Sequence, residues 1–362
     1  MAYNILVLNY EYPPVGGGGA AVCKDICELA VKAGHNITIV TMGYKALPLQ
    51  ETINGVNVHR VKCLRSSQRV CHPWEQLSYC ISAYKYITKN LDTKSFDFIH
   101  CHFIIPTGLL ALWLNRKYGI KYIITAHGSD VIGHNNSRFA LLYKFIKPWW
   151  INILKNAFAV TAPSQYLVNK IKESYDDIKV TMIPNGVHLE KYTSMPKEKY
   201  ILVLSRLQES KGIQDLIDVC TGLDMNGWVI NILGDGPYRK TLEELVDSKG
   251  LKDIVFFKGH VDGTEKFDYL SKAGCFFSGS KFESFALSVL EATVCKCNTI
   301  VSRIEPHLLL VGEKHTYKDR QELAVKIKEI INTYPTAIDY GNDNYNWSEI
   351  YKKYLDVYRK IS

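Results

Sequence analysis

The chain has 362 residues, 47% of them hydrophobic and 22% charged, with a formal net charge of +8. That length is long for one core and comfortable for two, and the composition excludes disordered and fibrous classes. The opening Met1-Ala-Tyr-Asn-Ile-Leu-Val-Leu lacks the basic start and long apolar core of a secretory signal, and no apolar run approaches the roughly 20 residues of a spanning helix, so a cytoplasmic protein is expected.

Strand-like and helix-like patterns alternate from the start. Ile5–Leu8 reads as a buried strand and Ala20–Ala33 as a helix with apolar residues at helical spacing, ended by Gly34. Asn36–Thr41 and Val56–Lys62 are strands, and Pro73–Asn90 is a helix. Phe98–His102 (strand), Gly108–Tyr118 (helix) and Tyr122–Ala126 (strand) continue the series. A long aromatic stretch, Phe139 to Ala157, precedes the strand Ala159–Ala162. Strands alternating with helices give a parallel sheet covered on both faces, which here amounts to one Rossmann-like domain.

A turn-rich segment, Ile183–Lys199, then carries Pro184, Asn185-Gly186 and Pro196 and marks a domain boundary. The alternation restarts beyond it. Tyr200–Leu204, Val229–Leu233, Ile254–Lys258, Cys275–Ser278 and Thr299–Ser302 are strands. Ile213–Thr221, Tyr238–Ser248, Lys266–Ala273 and Leu287–Cys295 are helices, followed by a last one at Trp347–Lys360. The expected domains are 1–185, 186–345, and a closing segment 346–362 whose helix packs back toward the first domain.

Two compositional features bear on partners. The ten cysteines lie in apolar contexts without metal-ligand spacing, so reduced core thiols are expected and no metal. Residues 1–190 hold 20 Lys/Arg against 12 Asp/Glu, whereas residues 191–362 hold 24 of each, so the entire positive excess lies in the first half. Such one-sidedness suits an anionic partner, such as a membrane surface, a phosphorylated substrate or nucleic acid; an uneven but solvated surface explains it equally well.

The run Gly16–Gly19 falls between the first strand and the first helix. In a doubly wound sheet ligands bind beyond the carboxyl ends of the strands, where helix N-termini offer unpaired N–H groups to anions. The run is therefore read as a close-approach loop. It lacks the spaced glycines of a dinucleotide fingerprint and the Gly-Lys-Ser/Thr of a P-loop. In the second half Arg206 ends a strand and Lys211-Gly212 opens the next helix, a pair suited to a diphosphate. Gly234-Asp-Gly-Pro237 repeats the strand–turn–helix punctuation, with Pro237 expected at the first helical position. Glu283 and Glu291 bracket a further helix start. Glu291, in an otherwise apolar helix, needs a hydrogen-bond partner and so points to a polyhydroxylated ligand.

In this order the pieces resemble the retaining glycosyltransferases of family 4. The matching residues are Pro13-Pro14 with Gly16–Gly19, His100-Cys-His102 with Pro106, Thr125-Ala-His127-Gly-Ser-Asp130 and Pro184-Asn-Gly-Val187, then Ser205-Arg206 with Lys211-Gly212, Gly234-Asp-Gly-Pro237, and Glu283 with Glu291-Ala292. The resemblance spans about residues 3 to 295. It implies the GT-B fold: α/β, two facing Rossmann-like, doubly wound domains with a cleft between them. It further implies transfer of a hexose from a UDP- or GDP-linked donor, with retention of configuration, to a glycan or lipid-linked acceptor.

By the same resemblance, Arg206 and Lys211 hold the donor diphosphate and Glu291 the ribose hydroxyls. Glu283 meets the sugar or the phosphate side, and the N–H groups of Phe285, Ala286 and Leu287 meet phosphate oxygens. Gly17, Gly18 and Gly234 line the donor, and Val261 borders the base. His127, beside the reaction centre, is grouped with Glu283, Arg206 and Lys211 as catalytic. His102, His127 and Asp130 form the acceptor side. Diphosphate charge is handled by cationic side chains and helix dipoles, so neither metal nor cofactor is implied, and no nucleic acid.

Other readings stand beside these. His100 and His102 alternate on a strand, so one is expected to face the cleft and the other to pack. Asn185-Gly186 reads equally as a plain hinge turn. Ala286 stands where the family usually has glycine, and residues 293 to about 320 depart from the family pattern, which leaves donor choice open. An inactive sugar-nucleotide-binding module and an epimerase of UDP-N-acetylglucosamine type are the alternatives. Finally, Phe139-Ala-Leu-Leu-Tyr-Lys-Phe-Ile-Lys-Pro-Trp-Trp-Ile, with Lys144, Lys147 and Lys155, combines aromatics and lysines suited to a bilayer interface. The first domain is therefore expected to sit peripherally on the anionic inner face of the cell membrane.

Overall fold

The structure, a computed structural model, describes residues 2–134, 136–192, 195–261 and 263–361, and among them every side chain outside 136–144. The chain forms two compact units, one of residues 1–186 with 347–362 and one of residues 187–346.

The first unit runs β1 (Asn4–Leu8), α1 (Gly18–Lys32), β2 (Asn36–Met42), β3 (Gln50–Ile53), β4 (Val56–Val61), α2 (Pro73–Asn90), β5 (Phe98–His102), α3 (Thr107–Tyr118), β6 (Tyr122–Thr125), α4 (Asn136–Asn156), β7 (Ala159–Ala162), α5 (Gln165–Ser174) and β8 (Val180–Met182). Its sheet is ordered β3-β4-β2-β1-β5-β6-β7-β8. Every pairing is parallel except β3 with β4. That hairpin turns on Asn54-Gly55, both at positive φ (49° and 83°), the geometry of a two-residue turn matched to strand twist. β1 lies in the middle of the sheet, between β2 and β5, and Ile5 to Leu8 are buried, as a strand covered on both faces requires.

The second unit runs β9 (Glu198–Leu204), α6 (Ile213–Cys220), β10 (Val229–Leu233), α7 (Arg239–Ser248), β11 (Val255–Gly259), α8 (Gly263–Lys272), β12 (Ala273–Ser278), α9 (Leu287–Val294), β13 (Asn298–Ser302), α10 (Glu305–Val311), β14 (Thr316–Tyr317) and α11 (Arg320–Ile331). The sheet order is β11-β10-β9-β12-β13-β14, all parallel. Alternate strand residues feed two cores. Ile201, Val203, Ile230, Ile232 and Phe277 pack with residues of α6, α7 and α11; Leu202, Leu233 and Phe276 pack with Leu270, Val289, Leu290 and Leu310. A period of two dividing apolar residues between two layers is the signature of a sheet sandwiched by helices.

The last helix, α12 (Trp347–Ile361), returns to the first unit and packs on α1. Trp347, Ile350, Tyr351, Tyr354, Val357, Tyr358 and Ile361 are buried along one stripe at helical spacing. Gly186 is needed for that packing, because a Cβ there would lie 2.6 Å from the Trp347 ring. Each of the ten cysteines is a free thiol.

Candidate functional site

In the first unit the glycine turn starts α1. Gly17 is the N-cap, exposed, with no side-chain cap and no acidic residue in the first turn, so the positive helix end is open to an anion. Three of these glycines have different causes. A Cβ on Gly16 (φ +107°) would meet Glu11 at 2.6 Å, and one on Gly19 would meet Phe103 at 2.6 Å and His127 at 3.5 Å. A Cβ on Gly17 meets nothing within 4 Å among the described residues, so its freedom is of no use to the internal packing there. The segment 65–68 fastens this turn: Gly16 N donates to Gln68 O (2.9 Å), Gln68 Nε2 to Pro14 O (2.7 Å), and the buried Arg65 guanidinium to Glu11 (2.9 Å).

Against Gly19 lies a histidine cluster. His100 and His102 stack at 4.5 Å, and His102 stacks on His127 at 5.2 Å with Nδ1 3.0 Å from His127 Nε2. His100 is bound through Nδ1 to Tyr358 OH (2.9 Å) and through Nε2 to Thr125 Oγ1 (2.8 Å). Both strand histidines are buried and stacked, which corrects the expectation that they part, one to the cleft and the other into the packing. Residues two apart share a strand face. Burial drives all three imidazoles down, His100 and His127 to about 3, so they are neutral.

Asp130, expected on the acceptor side, is engaged by the backbone of its own loop and of the loop after β5. Its Oδ1 accepts from the N–H groups of His127 (3.0 Å) and Gly128 (2.8 Å), and its Oδ2 from Ile104 N (2.7 Å). Burial raises this carboxyl and those three donors oppose the rise. With both oxygens taken, Asp130 braces the loop that carries His127. Trp150 Nε1 donates to Asp130 O (2.9 Å) from α4, so this tryptophan is core and not surface.

In the second unit the loops beyond β9, β10 and β12 meet backbone to backbone. A Cβ on Gly212 would come within 2.3 Å of Gly279 O, on Gly234 within 1.9 Å of Ser205 O, and on Gly236 within 2.2 Å of Leu207 O. Gly234 is thereby explained by loop packing. Helix α7 begins at Arg239 with Tyr238 as its N-cap, so Pro237 lies before the helix and not at its first position.

Lys211 and Glu283 come together in this junction, Nζ to Oε1 at 2.6 Å, with each side chain 20% exposed. Ser280 Oγ also donates to Glu283 Oε1 (2.7 Å). Burial pushes the Glu283 carboxyl up, but Lys211 and Ser280 outweigh it and hold the group below its ordinary value. Arg206 is exposed in the loop after β9. Helix α9 opens at Ala286, its N-cap, without a side-chain cap, and the N–H groups of Phe285, Ala286 and Leu287 make no hydrogen bond among the described residues. Ala286 sits at φ 66°, a left-handed conformation that a side chain disfavours. A glycine there would relieve it.

Glu291 does not need a ligand to justify its burial. Its Oε1 accepts from Lys266 Nζ (2.6 Å) and Tyr192 OH (2.9 Å), which satisfies the stability argument internally. Val261 is buried in the core beside α9. Ser280, His307, Lys266 and Tyr192 were not expected. His307 is buried, donates from Nδ1 to Ser302 O (2.8 Å), and lies in the electrostatic field of both Glu283 and Lys211. A histidine two residues into a short helix of a segment without motif gave no signal of this.

The family model for Glycosyltransferase Family 4 matches residues 16–191, and that for Glycosyl transferases group 1 matches residues 187–347. The chain is 25% identical over 374 residues to Uncharacterized glycosyltransferase MJ1178 of Methanocaldococcus jannaschii, with 99% of each chain covered. Its fold is similar to that of sucrose-phosphate synthase from Thermosynechococcus elongatus, with a TM-score of 0.82 at 20% identity over 99% of each chain. It is also similar to Anabaena HepE solved in complex with UDP-glucose, with a TM-score of 0.77 at 16% identity over 99% of this chain and 100% of that one. With both family models matched in succession along nearly the whole length and each unit built as a Rossmann-like sheet, the chain belongs to the family 4, group 1 glycosyltransferases of GT-B fold.

Proposed function

We propose that this glycosyltransferase is a retaining hexosyltransferase that takes a UDP- or GDP-hexose and works without a divalent metal. The observation that carries the reading is the junction beyond β9 and β12. There an ammonium already drawn out of water by Glu283 lies in the same loop cluster as the uncapped N-terminus of α9. Desolvated cations and helix N–H groups stabilise charge on a leaving diphosphate better than solvated ones do. That the similar HepE was solved with UDP-glucose supports a nucleotide-sugar donor.

In this reading Lys211, with Arg206, moves onto the diphosphate. The anomeric carbon–oxygen bond breaks with its electron pair passing to the phosphate oxygen. The acceptor hydroxyl attacks from the face the phosphate leaves, and its proton passes to that same phosphate oxygen. Glu283, ionised, accepts a hydrogen bond from a sugar hydroxyl, and Glu291 Oε2 accepts one from the ribose.

The acceptor side of the proposal is a lipid-linked or membrane-embedded molecule reached from an anionic membrane surface. The first unit carries 24 Lys/Arg against 13 Asp/Glu, and the second 20 against 23. In α2, Trp74, Leu77 and Ile81 are exposed at 61%, 54% and 45%, on one helical face; in α4, Phe145 and Trp149 are exposed at 76% and 57%. Arg116 and Lys117 of α3 and Lys85 of α2 line a hollow with Ile81, Tyr84 and Trp113. Apolar and cationic side chains side by side suit headgroups over acyl chains. Phe139 and Lys144 of the expected stretch lie outside the described side chains, Lys147 is exposed, and Lys155 rests over Tyr175. No helix among the described residues is long and apolar enough to cross a membrane.

The deciding experiment incubates the protein with UDP- and GDP-hexoses, with and without a polyprenyl-phosphate or glycolipid acceptor, and follows the anomeric proton by NMR. An axial donor giving an axial product supports the reading. Inversion, or binding without turnover on any donor, overturns it.

A further inference from the structure

The hydrogen bond between His102 and His127 fixes which nitrogen of His127 carries its proton. One proton lies between His102 Nδ1 and His127 Nε2, 3.0 Å apart, because burial keeps both rings neutral. His102 is fully buried, and its other nitrogen, Nε2, has no partner among the described residues. If His127 were the donor, His102 would have to carry its own proton on that Nε2, leaving a buried N–H without an acceptor. If His102 donates from Nδ1, the atom left over is a bare lone pair. Orphaned buried N–H groups are much rarer than under-used acceptors, and leaving a donor unpaired costs the equivalent of about tenfold or more in population. His102 therefore donates, His127 Nε2 accepts, and the proton of His127 resides on Nδ1. That Nδ1 makes no hydrogen bond among the described residues, and the ring lies against the glycine turn at Gly19 and the ring of Phe103 (4.5 Å).

We propose that His102 is a positioning residue that locks His127 in the Nδ1–H tautomer, so that the free ring nitrogen of His127 offers a proton to a hydrogen-bond acceptor and does not serve as a base. The expected effect on turnover rests on the function proposed above; the tautomer does not. Asp130 completes the support by holding the His127 and Gly128 N–H groups from below.

The test is a long-range ¹⁵N–¹H correlation spectrum of the full chain labelled at histidine, at neutral pH, with His127→Gln assigning the His127 ring. The expected result is a His127 ring protonated at Nδ1, the less common form for a histidine side chain in water. In His102→Leu, which keeps bulk but removes the donor, His127 should revert to the Nε2–H form. In His102→Asn, whose amide N–H reaches the place of Nδ1–H, it should remain Nδ1–H. Turnover should follow the tautomer, with kcat/KM about tenfold lower in the leucine variant than in the asparagine one, on the order of one neutral hydrogen bond. A wild-type His127 protonated at Nε2 would overturn the proposal, as would an unchanged tautomer in His102→Leu. Should the leucine variant not fold, the wild-type spectrum alone decides. A confirmed tautomer with no turnover on any nucleotide-sugar would leave this inference standing and sink the proposed function instead.

Discussion

Replacing Lys211 with methionine should expose how the junction beyond β9 and β12 is held. The Lys211–Glu283 pair, 2.6 Å apart, has a gross Coulomb attraction of about 6 kcal/mol at an effective dielectric near 20. Taking two charges largely out of water cancels most of that, leaving a coupling of about 1–3 kcal/mol. Without Lys211, burial is the largest influence on Glu283, so its carboxyl should rise above the ordinary value where now it lies below. In the wild type, a depressed folded-state pKa gives a stabilisation present at neutral pH and lost as pH falls through it. In Lys211→Met the sign reverses, and the loss of stability should shrink as the carboxyl protonates. The assay is urea unfolding of the wild type, Lys211→Met, Glu283→Gln and the double variant at pH 7.5 and pH 5. At pH 7.5 the double variant should be less destabilised than the sum of the singles by the coupling energy, and at pH 5 the Lys211→Met deficit should be smaller. Additivity within about 0.3 kcal/mol, together with a deficit that ignores pH, would refute the pair as a unit. The same variant should lose about 10²-fold or more in transfer rate if Lys211 also meets the diphosphate.

The remaining predictions are independent of that cycle. Asp130→Asn offers one acceptor oxygen to three backbone donors, so it should cost about 2–4 kcal/mol, read as a fall in thermal midpoint, with reduced turnover as the His127 loop loosens. His100 and His127, held at about 3 against a usual value near 6.5, bind protons only when unfolded over that interval. Stability should therefore fall from pH 6.5 downward by up to about 1.4 kcal/mol per pH unit for each; a flat urea midpoint between pH 7 and pH 4.5 would contradict their neutrality. Activity should survive EDTA, and its loss there with recovery on adding Mn²⁺ or Mg²⁺ would sink metal independence. The protein should sediment with anionic liposomes at low salt and release at high salt, each lysine near the surface contributing about 1 kcal/mol. Trp74→Ser with Leu77→Ser should weaken that binding, and indifference to anionic vesicles would leave a soluble acceptor.

The sequence by itself determined the elements whose pattern is local. Pro73–Asn90, Phe98–His102, Ala159–Ala162 and Val229–Leu233 could be bounded to the residue, because apolar period, proline and glycine punctuation act within a turn or a strand. The hairpin at Asn54-Gly55 was legible too, through the strongest short turn signal, yet it is easily passed over in a chain that otherwise reads as parallel. The short β14 and α10 carry too few residues for any period to emerge, and α5 and α11 are amphipathic segments to which the sequence analysis assigns no element.

What only tertiary structure decided is which side chain answers which. Glu291 looked unsatisfied along its own helix because Tyr192 and Lys266, 99 and 25 residues away, are invisible to local pattern. The partners of Asp130 were not legible because its three backbone donors are fixed by loop geometry and not by residue type. His100 was tied to Tyr358 across 258 residues of chain, through a helix that returns from the far end to close the first unit. Residue types announce which groups need partners. Burial, and the strand ends that the sheet order brings side by side, determine who those partners are.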